Sequence, residues 1–475
     1  MPVGISLSRW TMAYFGAGLF FLLFAEVLLA AGAWTPSSDV AEPHALIVVH
    51  SVTIGWLGLL MIGALLQFAP VMTGLSLPTD RLDAPTLAGL VAGLGLLLFG
   101  FHSIDAGSSA AGPTMVAASL TLGASILSIG LVLFAVLWRG RAAHAASPLV
   151  LIAIACLIAT AALGSLFAVT ISGVVDAGAV IEFVTNAVPF HAGFGLLGWM
   201  TFAAIGVSYK LLPMFLLSDD MKRSPFIRLT GSAGMSMPTI AMFCAMFDPA
   251  LGRTIFLMGG LVFQFTIVAY LVELFRTYRS RRRKTLELNT SGSLPAFALP
   301  AVSGPMLVLA LVFHAGSEIV TAAAYLFVFG WLSGLGLAQL LKIVPFLTWI
   351  EAFGPLLGRR PTPRLGDLIV GSRAAVWLGM FYFAVVTAAA AIAGGSDWGF
   401  HVAIILQTLA TAALAVELLL AARALANVEA ATKRAPFQQP ALFFAANHRG
   451  NANGSAFVNS MFDRYCVMAG CPSSS

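Results

Sequence analysis

Six histidines stand at the ends of long apolar runs. His44 and His50 open the second run, His102 closes the third, His191 opens the sixth, His314 closes the ninth and His401 opens the twelfth. In the orientation argued below, all six lie at the outer membrane face, so imidazoles from several helices share one depth. Imidazole is a ligand for haem iron and for copper, and a helical bundle holds such a cofactor between facing helices. Zinc is less expected, because no zinc ligand spacing occurs. A single interfacial histidine is more often a solvated cap than a ligand; the shared depth favours a ligand cluster, with haem first and copper second. His144 falls in an inner loop and His448 in the C-terminal tail.

Four further ionisable side chains lie inside apolar runs. Lys210 and Lys342, in the inner halves of the sixth and tenth, either snorkel to the interface or line a polar path. Glu26 and Glu417 are either partly exposed or hydrogen-bonded between helices. Cysteine carries little chemistry here. Cys156 and Cys244 sit in apolar runs, Cys466 and Cys471 in the tail, and no CxxC or CxxCH motif occurs; free thiols are expected.

The elements that hold these groups follow from composition. Of the 475 residues, 59% are hydrophobic and 9% charged, with mean hydropathy +0.94. Soluble domains carry about 25% charge, so a soluble enzyme, a secreted disulfide scaffold and a disordered chain are excluded, and no nucleic-acid partner is expected. Apolar runs occur at about 10–34, 44–70, 84–104, 113–138, 147–172, 186–216, 227–247, 251–275, 297–315, 318–347, 373–394 and 399–425. Each is long enough to cross a bilayer, so the fold class expected is an all-α integral membrane protein with twelve transmembrane helices. The first run is too long for a signal-peptide core and reads as a span.

Basic residues orient the spans. Most of the 25 Lys and Arg fall after spans 2, 4, 6, 8 and 10, from Arg81, Arg139 and Arg141 to Arg359, Arg360, Arg364 and Arg373. Arg253 is the one left for the opposite face, where Asp39, Glu42, Asp105, Asp176 and Asp397 collect. The positive-inside rule then places both termini in the cytoplasm, as expected of a bacterial inner-membrane protein in contact with lipid. The basic segment 276–296 (RTYRSRRRKTLELNTSGSLPA) is expected to be a cytoplasmic linker, and 426–475 a polar cytoplasmic tail, leaving 1–425 as the membrane domain.

One skeleton occurs three times: Gly-Trp, then a small residue, a Gln or Lys, and a Pro. It reads Gly55, Trp56, Gly63, Gln67, Pro70 in span 2; Gly198, Trp199, Gly206, Lys210, Pro213 in span 6; and Gly330, Trp331, Ala338, Lys342, Pro345 in span 10. Four spans separate successive copies. An even number makes the repeats parallel, related by an axis along the membrane normal, with repeats at about 1–140, 141–275 and 297–425. The small residue marks a close helix contact and the polar group lies a turn below it.

Span 2, HSVTIGWLGLLMIGALLQFAP (His50 to Pro70), resembles a ligand-bearing helix of haem-copper oxidase subunit I, the cbb-type branch above all. His50, Ser51, Gly55, Trp56, Gly58, Gly63, Ala64 and Pro70 match that family's pattern. GVSYKLLP (Gly206 to Pro213) is similar to the end of its sixth helix. The nitric-oxide-response (NnrS-like) membrane haem proteins share the architecture. The resemblance implies a membrane haem protein of about residues 10–425, with a redox partner or further subunits. It also implies what is missing. Ala323 and Tyr325 stand where the family's tenth helix carries its two haem histidines, and span 7 has no histidine for copper. Gly193 replaces a copper-ligating histidine, with His191 two residues earlier. Only His50 carries over residue by residue, as an axial ligand; His191 and His401, then His102 and His314, are candidates for the partner ligand.

Three functions follow from these readings. The first is an oxidase-like haem protein for electron transfer or O2 and NO chemistry, an oxidoreductase if it is an enzyme. The second is a non-catalytic protein that senses or handles haem, copper or NO. The third is a cofactor-free transporter using Glu26, Glu417, Lys210 and Lys342.

Overall fold

In a bilayer every backbone N–H and C=O must find its partner within the segment, so long apolar runs become helices. The computed structural model describes residues 7–77, 83–222, 224–357 and 361–434. Among them every regular element is helical. The helices are α1 (Leu7–Ala30), α2 (Pro43–Thr73), α3 (Asp83–Asp105), α4 (Ala111–Arg139), α5 (Ser147–Ile171) and α6 (Gly178–Leu216). They continue as α7 (Pro225–Ala245), α8 (Pro249–Arg279), α9 (Leu288–Val312), α10 (Ser317–Phe353), α11 (Gly371–Ala393) and α12 (Asp397–Arg434). Eleven of these, all but α7, are long and apolar enough to cross a membrane. The expected tail beyond 434 and Arg81, Arg223, Arg359 and Arg360 lie outside the described residues.

The seventh expected span folds as α7, a 21-residue helix, about 31 Å long at 1.5 Å per residue. It is less apolar than its neighbours because Arg228, Ser232, Ser236 and Thr239 face outward. Ser232 donates to Arg228 O and Ser236 to Ala233 O, so these hydroxyls are spent on their own helix. The helix lies antiparallel to α8. A Cβ at Gly234 would meet Phe263 Cα at 3.4 Å, one at Gly259 would meet Met237 Cβ at 2.9 Å, and Thr266 donates to Thr230 at 2.9 Å. Asp248 caps the start of α8, accepting from Ala250 N and Leu251 N, and Pro249 sits at the first turn, where its missing N–H costs nothing.

The basic linker is shorter than expected. Arg276 to Arg279 complete α8, and α9 begins at Leu288 instead of 297, with interruptions at Ser293 and Leu299. Polarity suggested a loop at 288–293, but tertiary partners satisfy those groups. Asn289 is buried and donates to Gln339 Oε1, while Gln339 Nε2 donates to Ser293 Oγ at 2.8 Å. Tyr382 OH donates to Gly292 O at 2.8 Å.

Each of α2, α6 and α10 contains one π-helical stretch, at Ser51–Gly58, Gly193–Met200 and Leu326–Ser333. These wide turns contain the Gly-Trp pair of the skeleton in all three. The skeleton's small residues mark close contacts, as spacing suggested. Gly63 abuts Tyr14 of α1, Gly206 abuts Val150 of α5, and Ala338 neighbours Gly292 of α9. The Gly-Trp glycines repeat the pattern a little further along: Gly55 against Phe21, Gly198 against Cys156, Gly330 against Leu299. Trp56, Trp199 and Trp331 are all buried.

Candidate functional site

Helices α2 to α6 line a partly open cavity of about 450 Å³, inside the range of about 300–1,000 Å³ usual for ligand pockets. Its wall is almost wholly apolar: Leu90 and Leu97 from α3, Ala118 and Leu122 from α4, Leu157 from α5, Trp199 and Met200 from α6. Two of the expected histidines, His50 and His191, line it together.

Both rings are held the same way. His50 Nδ1 lies 2.8 Å from Leu46 O, one turn back in its own helix. His191 Nδ1 lies 3.1 Å from Thr160 O, on α5. A carbonyl oxygen can only accept, so each Nδ1 carries the proton and donates it. The neutral ring then presents an Nε2 lone pair. A hydrogen bond from the far nitrogen to a backbone carbonyl is the arrangement that orients metal-binding histidines. Aromatic neighbours fix the planes further: Phe101 lies 5.2 Å from the His50 ring and Phe167 5.2 Å from that of His191. Gly164 makes room for the second imidazole, since a Cβ there would sit 3.1 Å from His191 Cε1.

Local structure explains the positions. His50 immediately precedes the first π stretch, and His191 comes two residues before the second. Pro189, inside α6, has no N–H to close the preceding turn. Such wide turns are frequent at functional sites. They let Trp199 face the same cavity from within its π stretch.

The other four histidines of the expected cluster do not join this pair, because their helices turn them elsewhere. His44 is exposed and lies 3.7 Å from Asp105 across the ends of α2 and α3. His102 is exposed beside Phe99. His314 terminates α9 in the left-handed conformation (φ 53°), with the N–H of Ala315 bonded to Ala310 O at 2.8 Å and its own Nδ1 against Arg253 Nη2; it is a helix cap. His401 is half-buried on α12 and is not among the residues that line the cavity. Among the described residues, no group of three His, Cys, Asp or Glu converges.

The remaining polar candidates have structural partners. Lys342 meets Glu287 at 2.7 Å, and Glu287 also pairs with Arg283. Burial raises the proton affinity of the Glu287 carboxyl, but Lys342 and Arg283 outweigh it through hydrogen bonds and charge and hold it below the usual carboxylate range. Lys210 is half-buried near the end of α6. Glu417 pairs with Arg373, Nη2 to Oε2 at 2.9 Å. Trp56 Nε1 donates to Ser333 Oγ at 3.0 Å, whereas Trp331 Nε1 is buried without an acceptor among the described residues.

For Glu26 the interhelical hydrogen-bond reading holds, and only its partners went unseen in the residue pattern. Glu26 of α1 is fully buried and joins Gln407 and Thr411 of α12 and, through Gln407, Tyr325 of α10. Gln407 and Thr411 are one turn apart inside an apolar run, a signal available in the sequence. A comparison with protein-family models finds none that matches this chain, and a comparison with curated proteins finds no match either.

Proposed function

We propose that this chain is a haem-binding membrane protein of the cytochrome oxidase subunit I-like kind, with His50 and His191 as the ligands of one haem iron near the outer face. One observation carries the reading: two imidazoles, each with Nδ1 donated to a backbone carbonyl, share a single apolar cavity. That chemistry suits iron, and the aliphatic walls suit a porphyrin face. Bound haem would supply one-electron redox chemistry, and O2 or NO binding if one imidazole gave way. His50 and His191 orient the iron, Phe101 and Phe167 brace the two rings, and the apolar walls exclude water. Copper is the second metal the same pair could take.

The finer architecture belongs to the same proposal. Twelve membrane helices, with α7 as the twelfth, form three parallel four-helix repeats around an axis along the membrane normal. The support is the threefold skeleton, its three π stretches, and the matching contacts of α2 on α1, α6 on α5 and α10 on α9. Both termini face the cytoplasm in this reading, which the one-sided basic loops support.

Pyridine haemochrome analysis of the detergent-purified protein, with metal quantification, tests the reading. Haem is expected at one per chain. His50→Ala and His191→Ala should each abolish or displace the Soret band, while His44→Ala, a few residues from His50 but outside the cavity, leaves it unchanged. Full haem content in folded His50→Ala protein, or stoichiometric copper without haem, overturns it.

A further inference from the structure

A second site lies away from the histidine cavity, where α1, α10 and α12 meet. Glu26 is wholly buried four residues before the end of α1, and its Oε1 accepts two hydrogen bonds, from Gln407 Nε2 at 2.9 Å and Thr411 Oγ1 at 3.1 Å. Tyr325 OH donates to Gln407 Oε1 at 2.7 Å. That bond fixes the amide, because with its oxygen occupied by the phenol its N–H must point at the carboxyl. Glu26 Oε2 is buried and has no hydrogen-bond partner among the described residues. Aromatic rings close the cluster on the side of the loop after α1. Phe400 lies 5.4 Å from Trp34 and 6.0 Å from Tyr325, edge-on to both.

The charges around it make this environment unusual. The direct partners of Glu26, Gln407 and Thr411, are uncharged. Tyr325 is the titratable group that faces it from α10, through Gln407. On α12, His401 lies nearer the helix start and outside the cluster, and Glu417, further along, is closed on Arg373 of α11. From α2, Trp56 contributes its ring and backbone against α1 at Gly18. An ionised carboxylate inside a membrane span is costly, and such residues mark ion or proton sites by default. Here two oriented donors can support the charged form at Oε1, while Oε2 is left to carry a proton in the neutral form.

We infer that Glu26 is a reversible proton-binding site, built by Gln407, Thr411 and Tyr325 and independent of the cofactor reading. A proton adds to Oε2 to form the neutral acid. Its release leaves a carboxylate whose charge rests on the Gln407 N–H and the Thr411 O–H. The phenol of Tyr325 is a positioning group: it orients the amide and does not itself exchange the proton.

Infrared spectroscopy on the full chain in detergent or liposomes, titrated between about pH 5 and pH 9, tests this directly. The expected result is a carbonyl stretch of a protonated carboxylic acid that disappears as pH rises and is missing from Glu26→Gln, an isosteric change that preserves the hydrogen bonds to Oε1. Glu417→Gln should leave the band in place. Thr411→Val removes a donor to the charged form, so the acid should hold its proton about tenfold more tightly. A Glu26 band that persists across the whole range shows a permanently neutral structural acid and overturns the proposal. So does the lack of any difference between wild type and Glu26→Gln, which shows a permanently ionised one. Reaction with dicyclohexylcarbodiimide, an apolar reagent for protonated carboxyls, supplies a readout that does not depend on the spectrum. Modification mapped to Glu26 should fall with rising pH, and modification that does not change with pH overturns the assignment.

Discussion

Trp56 and Ser333 join two of the three π stretches. The indole Nε1 at the heart of Ser51–Gly58 donates 3.0 Å to the hydroxyl that ends Leu326–Ser333, and both side chains are buried. Within a bundle this bond holds α2 against α10 while each helix makes its widest turn. In water such a link would be one of many. Inside a membrane, where apolar contact with lipid is as good as contact with protein, specific bonds of this kind set which faces meet.

Interhelical hydrogen bonds in membrane proteins average about 0.6 kcal/mol and reach about 1.7. Ser333→Ala is therefore expected to destabilise the bundle by about 1 kcal/mol, since it leaves a buried N–H unpaired. Trp56→Phe should lose its dependence on Ser333. A double-mutant cycle by thermal unfolding in detergent measures the coupling, and strict additivity of the two changes would show that the bond contributes nothing.

Gly55 is expected to tolerate no side chain. A Cβ there would lie 2.6 Å from Phe21 Cβ and 2.9 Å from Leu94 Cδ2, between α1 and α3. Gly55→Ala should cost about 1–3 kcal/mol as overpacking, although alanine is the better helix former by about 1 kcal/mol. Phe21→Ala in the same chain should relieve only part of the cost, because alanine keeps the Cβ at 2.6 Å and removes the ring beyond it; the two sites touch, so their effects do not add. Melting temperatures of the two single variants and the double variant decide it.

The Glu287 pair with Lys342 and Arg283 gives a pH dependence with a definite sign. Its carboxyl is held below the usual carboxylate range, so the folded state binds the proton more weakly than the unfolded chain. The stabilisation is fully present above the unfolded value, about 4.3, and is lost as pH falls through the folded value. Its size is about 1 kcal/mol at most, because roughly a third of the carboxyl side chain meets solvent. Glu287→Gln should lower thermal stability at neutral pH, and the difference from wild type should close on acidification. A gap that stays constant down to strongly acid pH would contradict the ion-pair origin.

Orientation is tested at Arg282, which is strongly exposed in the short connection between α8 and α9. Arg282→Cys, in a chain whose Cys244, Cys466 and Cys471 are replaced by serine, should react with a membrane-impermeant maleimide only after the cytoplasmic face is opened, with Cys156 buried and unreactive as the internal reference. Labelling from the outer side of sealed cells would reverse the topology.

Much of this protein was legible in its residue order because the relevant physics is local. Hydropathy over a window of about a helix length selects membrane spans, so the helices fall where the apolar runs are, but the run at 227–247 read as a full span although Arg228, Ser232 and Ser236 leave α7 outside the eleven helices apolar enough to cross. The Gly-Trp skeleton marked the close contacts correctly, since a small residue at a fixed position on a helix face lets another backbone approach whatever that backbone is. The placement of the histidines at the ends of their apolar runs rests on the same local reading, because rise per residue is constant along a helix. What required the tertiary structure was azimuth and partnership. Whether an imidazole at that depth faces a cavity, a carboxylate or lipid depends on helix rotation, and the π stretches after His50 and His191 alter that rotation with no marker in the apolar pattern. The cavity itself is a gap among α2 to α6 whose lining residues are ordinary leucines and alanines. Polar groups followed the same division. Asn289 and Ser293 looked like loop residues until Gln339 satisfied them, and Glu26 acquired its surroundings from Gln407 and Thr411 of the last helix. Composition and periodicity settle which segments enter the membrane, whereas packing alone decides which of their side chains meet.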